Sequence, residues 1–153
     1  MFYVLSIGAG IEHLESILLS KELGYKVIAV DRDKSAVGLK FADISYIIDI
    51  KNEEEIINIA KKYNIKAVLP TPIGRYLSTV GAVNDALNLK GIGKESALKC
   101  VDKVEFNKEM NKKGVLCASQ LVAKSKNEII CAINKFVSPK NNPFHLATSL
   151  IEV

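Results

Sequence analysis

The sequence is poor in arginine. Of its 21 Lys and Arg residues only Arg32 and Arg75 are arginine, so the formal charge of +4 rests on lysines spread along the chain. Lysine is a hydrated point charge without the planar fork that suits bidentate phosphate and base contacts. The densest basic stretch, Lys108 to Lys113, is interrupted by Glu109 and Met110. This pattern fits a soluble face, and nucleic acid is not an expected partner. The apolar opening from Met1 to Ile7 has no basic flank and is far shorter than the roughly 20 residues that cross a bilayer, so neither export nor a membrane is expected. Glycine and proline, at 9 and 4, are too few for a long disordered linker. Cysteine is scarce and odd in number: Cys100, Cys117 and Cys131 are far apart in apolar surroundings. That excludes a disulfide framework and leads us to expect reduced, buried thiols in a cytoplasmic protein. With His13 and His145 these cysteines form no metal motif. There is no nucleophile elbow and no phosphate-cradling P-loop.

What is present is an alternating pattern. The 153 residues are 48% hydrophobic, enough for a single domain with a short appendage. Phe2 to Ile7 reads as a buried parallel strand ending at glycine. From Ile11 the period becomes helical, with Ile11, Leu14, Ile17, Leu18 and Leu19 on the expected inner face, Glu12, Glu15 and Lys21 in water, and Gly24 as the stop. Lys26 to Val30 is a second strand, closed by Asp31. Tyr46 to Ile48 reads as a third, followed by Asp49. Asn52 caps a helix with Glu53, Glu54 and Glu55 in its first turn and Lys61 and Lys62 in its last, the charge order that suits the helix dipole. Its apolar stripe is Ile56, Ile59, Ala60 and Tyr63. Ala67 to Leu69 is a fourth strand, interrupted by Pro70 and Pro72. A helix over Arg75 to Leu87 follows, and Leu89 to Gly93 is expected to return toward the sheet. Strands alternating with helices imply a mostly parallel sheet. After about Glu95 the pattern shortens: helices over Ser96 to Cys100, Lys103 to Lys113 and Asn127 to Lys135, an extended segment over Val115 to Val122, a breaker cluster at Ser138 to Asn142, and a last apolar run, Leu146 to Val153.

Positions that can meet a ligand fall at the ends of the strands. Gly8 and Gly10 lie between a strand and a helix, where glycine allows close backbone approach and the free amides of the helix start can receive an anion. The same pair serves equally as an ordinary tight turn. A dinucleotide fingerprint would need a small residue at position 13, where this chain has His13. Asp31 either accepts ribose hydroxyls or merely ends its strand, and Arg32 beside it suits a phosphate or carboxylate. Thr71 and Arg75, after the fourth strand, can bond a carboxylate or phosphate in the crevice that a parallel sheet leaves at its carboxyl edge. Asp43 and Asp49 read as strand-edge or capping residues.

The ordered set Val4 to Gly10, Glu22 to Asp31, Phe41-Ala42-Asp43, Gly91-Ile92-Gly93 and Asp102 to Phe106 resembles the amino-terminal domain of ATP-grasp ligases, in the carbamoyl-phosphate-synthase-like and biotin-carboxylase-like subgroup. The resemblance implies a three-layer, Rossmann-like preATP-grasp domain over residues 1–94, followed over 95–153 by a helical continuation and the start of the ATP-grasp portion. Ligases of this kind activate a carboxylate as an acyl phosphate, which an amine then attacks. By likeness, Gly8, Ala9, Gly10, His13, Asp31, Arg32, Thr71 and Arg75 would line the acceptor-substrate site, and Lys103 would lie near nucleotide phosphates. ATP and Mg are the cofactors in the full-length family context, with none assigned to this chain itself.

This chain departs from the pattern. Lys140 only echoes the strand lysine of the catalytic lobes, no glycine-rich loop follows it, and the acidic metal ligands cannot be placed. The expectation is a piece of a ligase without its catalytic lobes, self-associating as a homodimer or joined by a separate chain that carries them. A stand-alone small-ligand or interaction module is the first alternative. An NAD-binding oxidoreductase domain is the second.

Overall fold

Short β-branched runs become buried parallel strands when helices cover both their faces, and here they do. The computed structural model describes residues 2–69, 74–117, 120 and 122–137. The chain divides into two compact units, Met1–Asp102 and Lys103–Val153. The first contains strands β1 (Tyr3–Ile7), β2 (Lys26–Asp31), β3 (Ile44–Ile47) and β4 (Ala67–Val68), paired in parallel in the order β3-β2-β1-β4. Helices α1 (Ile11–Glu22), α2 (Glu53–Lys62), α3 (Leu77–Leu87) and α4 (Lys94–Val101) complete that unit.

Side chains alternate across the strands, and the two sets enter separate cores. Leu5, Ile7, Ile28 and Val30 meet Ile56, Ile59 and Ala60 of α2 and Val80 and Val83 of α3. Val4, Val27 and Ala29 meet Ala9, Ile17 of α1, and Ala36 and Leu39, which precede and belong to the 3-10 turn Val37–Lys40. The result is the three-layer α/β arrangement expected. Because β4 lies on the opposite side of β1 from β2, the strand order reverses between β1 and β4, the position at which open α/β sheets generally take their ligands.

Local structure differs from expectation where tertiary packing overrides periodicity. The buried stripe of α1 is His13, Ile17 and Ser20, whereas Ile11, Leu18 and Leu19 are exposed and Leu14 is half-buried. The helix can turn these polar residues inward because the serine hydroxyls are satisfied within it. Ser16 Oγ donates to the His13 carbonyl at 2.8 Å, and Ser20 Oγ to that of Ser16 at 2.7 Å. Strand β3 starts at Ile44, ahead of the expected Tyr46. Arg75 falls in a 3-10 turn, Gly74–Tyr76, and α3 begins only after it.

Leu89 to Gly93 forms no strand and runs back along α3, with Leu89 and Ile92 packed against the core that α2 and α3 share with the sheet. Asn84 Nδ2 donates to the Ile92 carbonyl at 3.0 Å, and Asp85 accepts the Lys94 N–H at 2.8 Å. Gly81 lets the backbone at Gly93 and Lys94 lie directly against α3, where a β-carbon would fall 2.6 Å from the Lys94 backbone.

The second unit holds α5 (Lys103–Lys112) and α6 (Lys126–Val137). No strand forms among the described residues of 115–122. Cys100 and Cys131 are exposed and Cys117 half-buried, all as free thiols. The expected burial fails because the short helices carrying Cys100 and Cys131 turn them to solvent, while Cys117 Sγ lies 3.2 Å from Asn111 Oδ1. Pro70, Thr71 and Pro72, and the stretch 138–153 with Lys140 and His145, lie outside the described residues. Among the described residues no helix is long and apolar enough to cross a membrane.

Asp43 ties the start of β2 to the chain entering β3. Its carboxylate accepts from Lys26 Nζ at 2.7 Å and from the Val27 N–H at 2.9 Å, with Lys21 Nζ at 3.7 Å. Burial pushes this carboxyl up. The Lys26 and Val27 hydrogen bonds and the Lys21 and Lys26 charges outweigh it, and hold the group below its ordinary value. A depressed folded-state value adds stability that is present above the unfolded carboxylate value, about 3.9, and lost as pH falls through the folded one. Asp43→Ala is expected to lower stability by about 1–3 kcal/mol through the unpaired Val27 amide and lost charge pairing. Asp43→Asn, which keeps an acceptor, should cost less and flatten the acid limb. Urea unfolding of the three proteins between pH 2.5 and 7 checks this, and identical acid limbs would contradict it.

Candidate functional site

The turn leaving β1 is fixed by bonds on every side. Gly8 has φ +102°, a conformation strained for any L side chain, and a β-carbon there would collide with the His13 ring. Its N–H donates to the Val30 carbonyl at 2.8 Å, and its carbonyl accepts from Ser6 Oγ at 2.7 Å. Ala9, fully buried, is held at both ends. Its N–H donates to Asp31 Oδ2 at 2.8 Å, and its carbonyl accepts the Gly38 N–H at 2.8 Å. Gly38 can approach because it has no side chain, since a β-carbon there would fall 2.8 Å from the Ala9 oxygen and 2.7 Å from Ile17 Cδ1. The other oxygen of Asp31 accepts the Asp33 N–H at 2.9 Å. The next carboxyl, Asp33, is held below its ordinary value by the Ser35 hydroxyl and then by the Ser35 amide.

Gly10 is the N-cap of α1 and has no side chain with which to cap it. The first-turn N–H groups of a helix lack the regular i−4 acceptor and carry the positive end of its dipole; here the His13 N–H donates to the Gly10 carbonyl at 3.0 Å, which leaves those of Ile11 and Glu12. Beneath them the His13 ring is 2% exposed, and neither nitrogen has a hydrogen-bond partner. The Glu12 carboxylate lies 3.4 Å from His13 Nδ1. Open amides above an unsatisfied imidazole can receive a small anion.

The fold therefore gathers Gly8, Ala9, Gly10, His13 and Asp31 at the carboxyl ends of β1 and β2, with Arg32 exposed immediately after. Asp31 grips the glycine turn with the oxygens that the sequence left open to a ribose. His13 lies under the turn, in the place of the small residue of a dinucleotide fingerprint. Arg75 is placed by its backbone in the turn before α3, Thr71 lies outside the described residues, and Lys103 opens α5 in the second unit. Sequence reasoning missed Ser6, Glu12 and Gly38. An isolated glycine in Ala36-Val37-Gly38-Leu39, away from any predicted turn, was the one available signal of a close approach.

Residues 3–93 match the family model described as PylC-like, N-terminal domain. The chain belongs to that family. As a PylC-like N-terminal domain it is a preATP-grasp-type element of the ATP-grasp ligase superfamily. It is 36% identical over 67 residues to the formate-dependent phosphoribosylglycinamide formyltransferase of Prochlorococcus marinus strain MIT 9301, across 44% of this chain and 17% of that protein. It is 30% identical over 128 residues to the carbamoyl phosphate synthase large chain of Campylobacter jejuni, across 78% of this chain and 12% of that protein. The crystal structure of phosphoribosylglycinamide synthetase from Anaerococcus prevotii superposes with a TM-score of 0.70 at 27% identity, over 88% of this chain and 34% of the other. The matched part thus spans 12% to 17% of these two curated relatives.

The grip on Ala9 makes Asp31 a positioning residue for the PylC-like turn. Asp31→Ala is expected to speed hydrogen exchange at the Ala9 amide about tenfold and to destabilise the domain by about 1–2 kcal/mol. An Ala9 amide that stays as protected as in the parent would contradict that assignment.

Proposed function

We propose that this chain supplies the acceptor-substrate side of an ATP-dependent carboxylate–amine ligase, with residues 1–94 as the substrate-side domain and 95–153 as the beginning of the ATP-grasp portion. The observation that carries the reading is the immobilised glycine turn, Gly8 to Gly10, which sets the start of α1 at the carboxyl edge of a parallel sheet over the buried, unpartnered His13 ring. The site proposed for a small carboxylate substrate is built on Gly8, Ala9, Gly10, His13 and Asp31, which form the turn, with Arg32 beside it; Thr71 and Arg75 are assigned to it by the family likeness alone. Lys103 is the residue that approaches nucleotide phosphates. ATP and Mg belong to the complete ligase. Ligation is assigned to that complete ligase and not to the isolated chain. Nucleotide-bearing lobes would come from a continuation of the polypeptide or from a separate chain.

A dinucleotide-binding role is less well supported, because His13 fills the position needed by a third small residue and Asp31 already accepts from two backbone amides. The cytoplasm is the compartment this reading requires. A homodimer is the proposed assembly, supported by the apolar side chains that α1 leaves exposed, Ile11 at 73% and Leu19 at 53%.

Two measurements test these points. In calorimetric titrations the full chain should bind simple carboxylates saturably in the millimolar range, about −4 kcal/mol, and give no saturable heat with NAD. Tight NAD binding would contradict the reading. In sedimentation the chain should dimerise as its concentration rises, and Leu18→Lys with Leu19→Lys should return it to monomer. A parent protein that stays monomeric at high concentration would exclude the dimer.

A further inference from the structure

The start of α1 already holds a carboxylate of the chain's own. A β-carbon on Gly10 would fall 2.7 Å from Glu12 Oε2, which means that the Glu12 head folds back against the capping glycine. Its other oxygen lies 3.4 Å from His13 Nδ1, yet both nitrogens of that 2%-exposed ring remain without a hydrogen bond. The Glu12 side chain is 60% exposed, so nothing packs it in place. A buried polar group without a partner is costly, and native proteins pair nearly all of them. A neutral imidazole carries one donor and one acceptor. Here a donor, open amides and a positive helix end surround a spot in which a tethered carboxylate rests without completing any of the bonds on offer.

We infer that Glu12 is a built-in competitor, holding the place of a ligand carboxylate at the start of α1, and that a small carboxylate displaces it to bond the first-turn amides and the His13 ring. This rests on the reading of the Gly8–Gly10 edge as the substrate side, and adds to it the place where the carboxylate is held and a residue that sets its affinity. Glu12 swings into solvent as the ligand arrives. Binding is therefore weakened by the interaction Glu12 gives up and by the repulsion between the two carboxylates. The ligand gains what the tether denies Glu12, an approach along the helix axis with both oxygens engaged.

The test is an amide-resolved NMR titration of the full chain with sodium acetate at constant ionic strength. The parent, Glu12→Gln and Glu22→Gln are compared, the last removing the same charge from the far end of α1. Acetate should shift the Gly10, Ile11 and His13 signals. Glu12→Gln should tighten binding about twofold to fivefold, the affinity equivalent of a carboxylate's interaction with a helix start, and Glu22→Gln should leave it unchanged. His13→Phe, which keeps a ring against Gly8 but no N–H, should weaken acetate about twofold to tenfold. Thermal unfolding of each variant confirms that it is folded.

Saturable binding at this turn that Glu12→Gln leaves unchanged or weakens would overturn the inference while leaving the proposed function standing. Equal tightening by both glutamine variants would also overturn it, by making the effect one of net charge. Inorganic phosphate that gains as much as acetate from Glu12→Gln would overturn the carboxylate assignment. No saturable shift in any protein would overturn the inference and the proposed function together.

Discussion

The structure depends on the way Ala9 is held. Its N–H is taken by the Asp31 carboxylate and its carbonyl by the Gly38 amide. One residue thereby joins the end of β1, the end of β2 and the 3-10 turn that follows. Each partner needs the others. Gly8 must adopt φ +102° to bring Ala9 round, Gly38 must lack a side chain to reach it, and Asp31 must end its strand in register with Ile47 to face it. A buried backbone N–H and C=O with strong partners are costly to expose, so the turn is held as firmly as the strands it joins. The Ile11 and Glu12 amides at the start of α1 are left over from this arrangement, while that of His13 donates to the Gly10 carbonyl.

Much of this was legible in the sequence because the features concerned are local. Strand ends at Gly8 and Asp31, the Asn52 cap with Glu53 to Glu55 after it, and the alternation of strands and helices all follow from neighbouring residues. So does the capping exchange in which Asn52 both accepts the Glu55 N–H at 3.3 Å and donates to its carboxylate at 2.8 Å. The face of α1 was not legible. Counting apolar residues gave Leu18 and Leu19 to the core, whereas the slot over Val27, Ala29 and Gly38 admits a narrower stripe built on Ile17, with His13 and Ser20 flanking it. Ser20 can face inward because its hydroxyl is satisfied by a carbonyl of its own helix, and no periodicity reports that. Gly38 and Glu12 were missed for a related reason, since their roles exist only once distant segments meet.

The site therefore differs in kind from the dinucleotide edge that a glycine pair and an acid first suggest. Asp31 has turned inward to build the turn, and a histidine fills the space where a dinucleotide turn keeps a small residue. What the edge offers is a positive helix end of limited extent, suited to one small anionic group. That suits the proposed role, a domain presenting the non-nucleotide partner of a ligase.

The most direct measurement is a crystal structure of the full chain grown with a small carboxylate. The account predicts the carboxylate bound to the first-turn amides of α1, within hydrogen-bond distance of His13, with Glu12 turned into solvent and the Ala9 bonds intact. A carboxylate bound only elsewhere, with Glu12 still against Gly10, would contradict it.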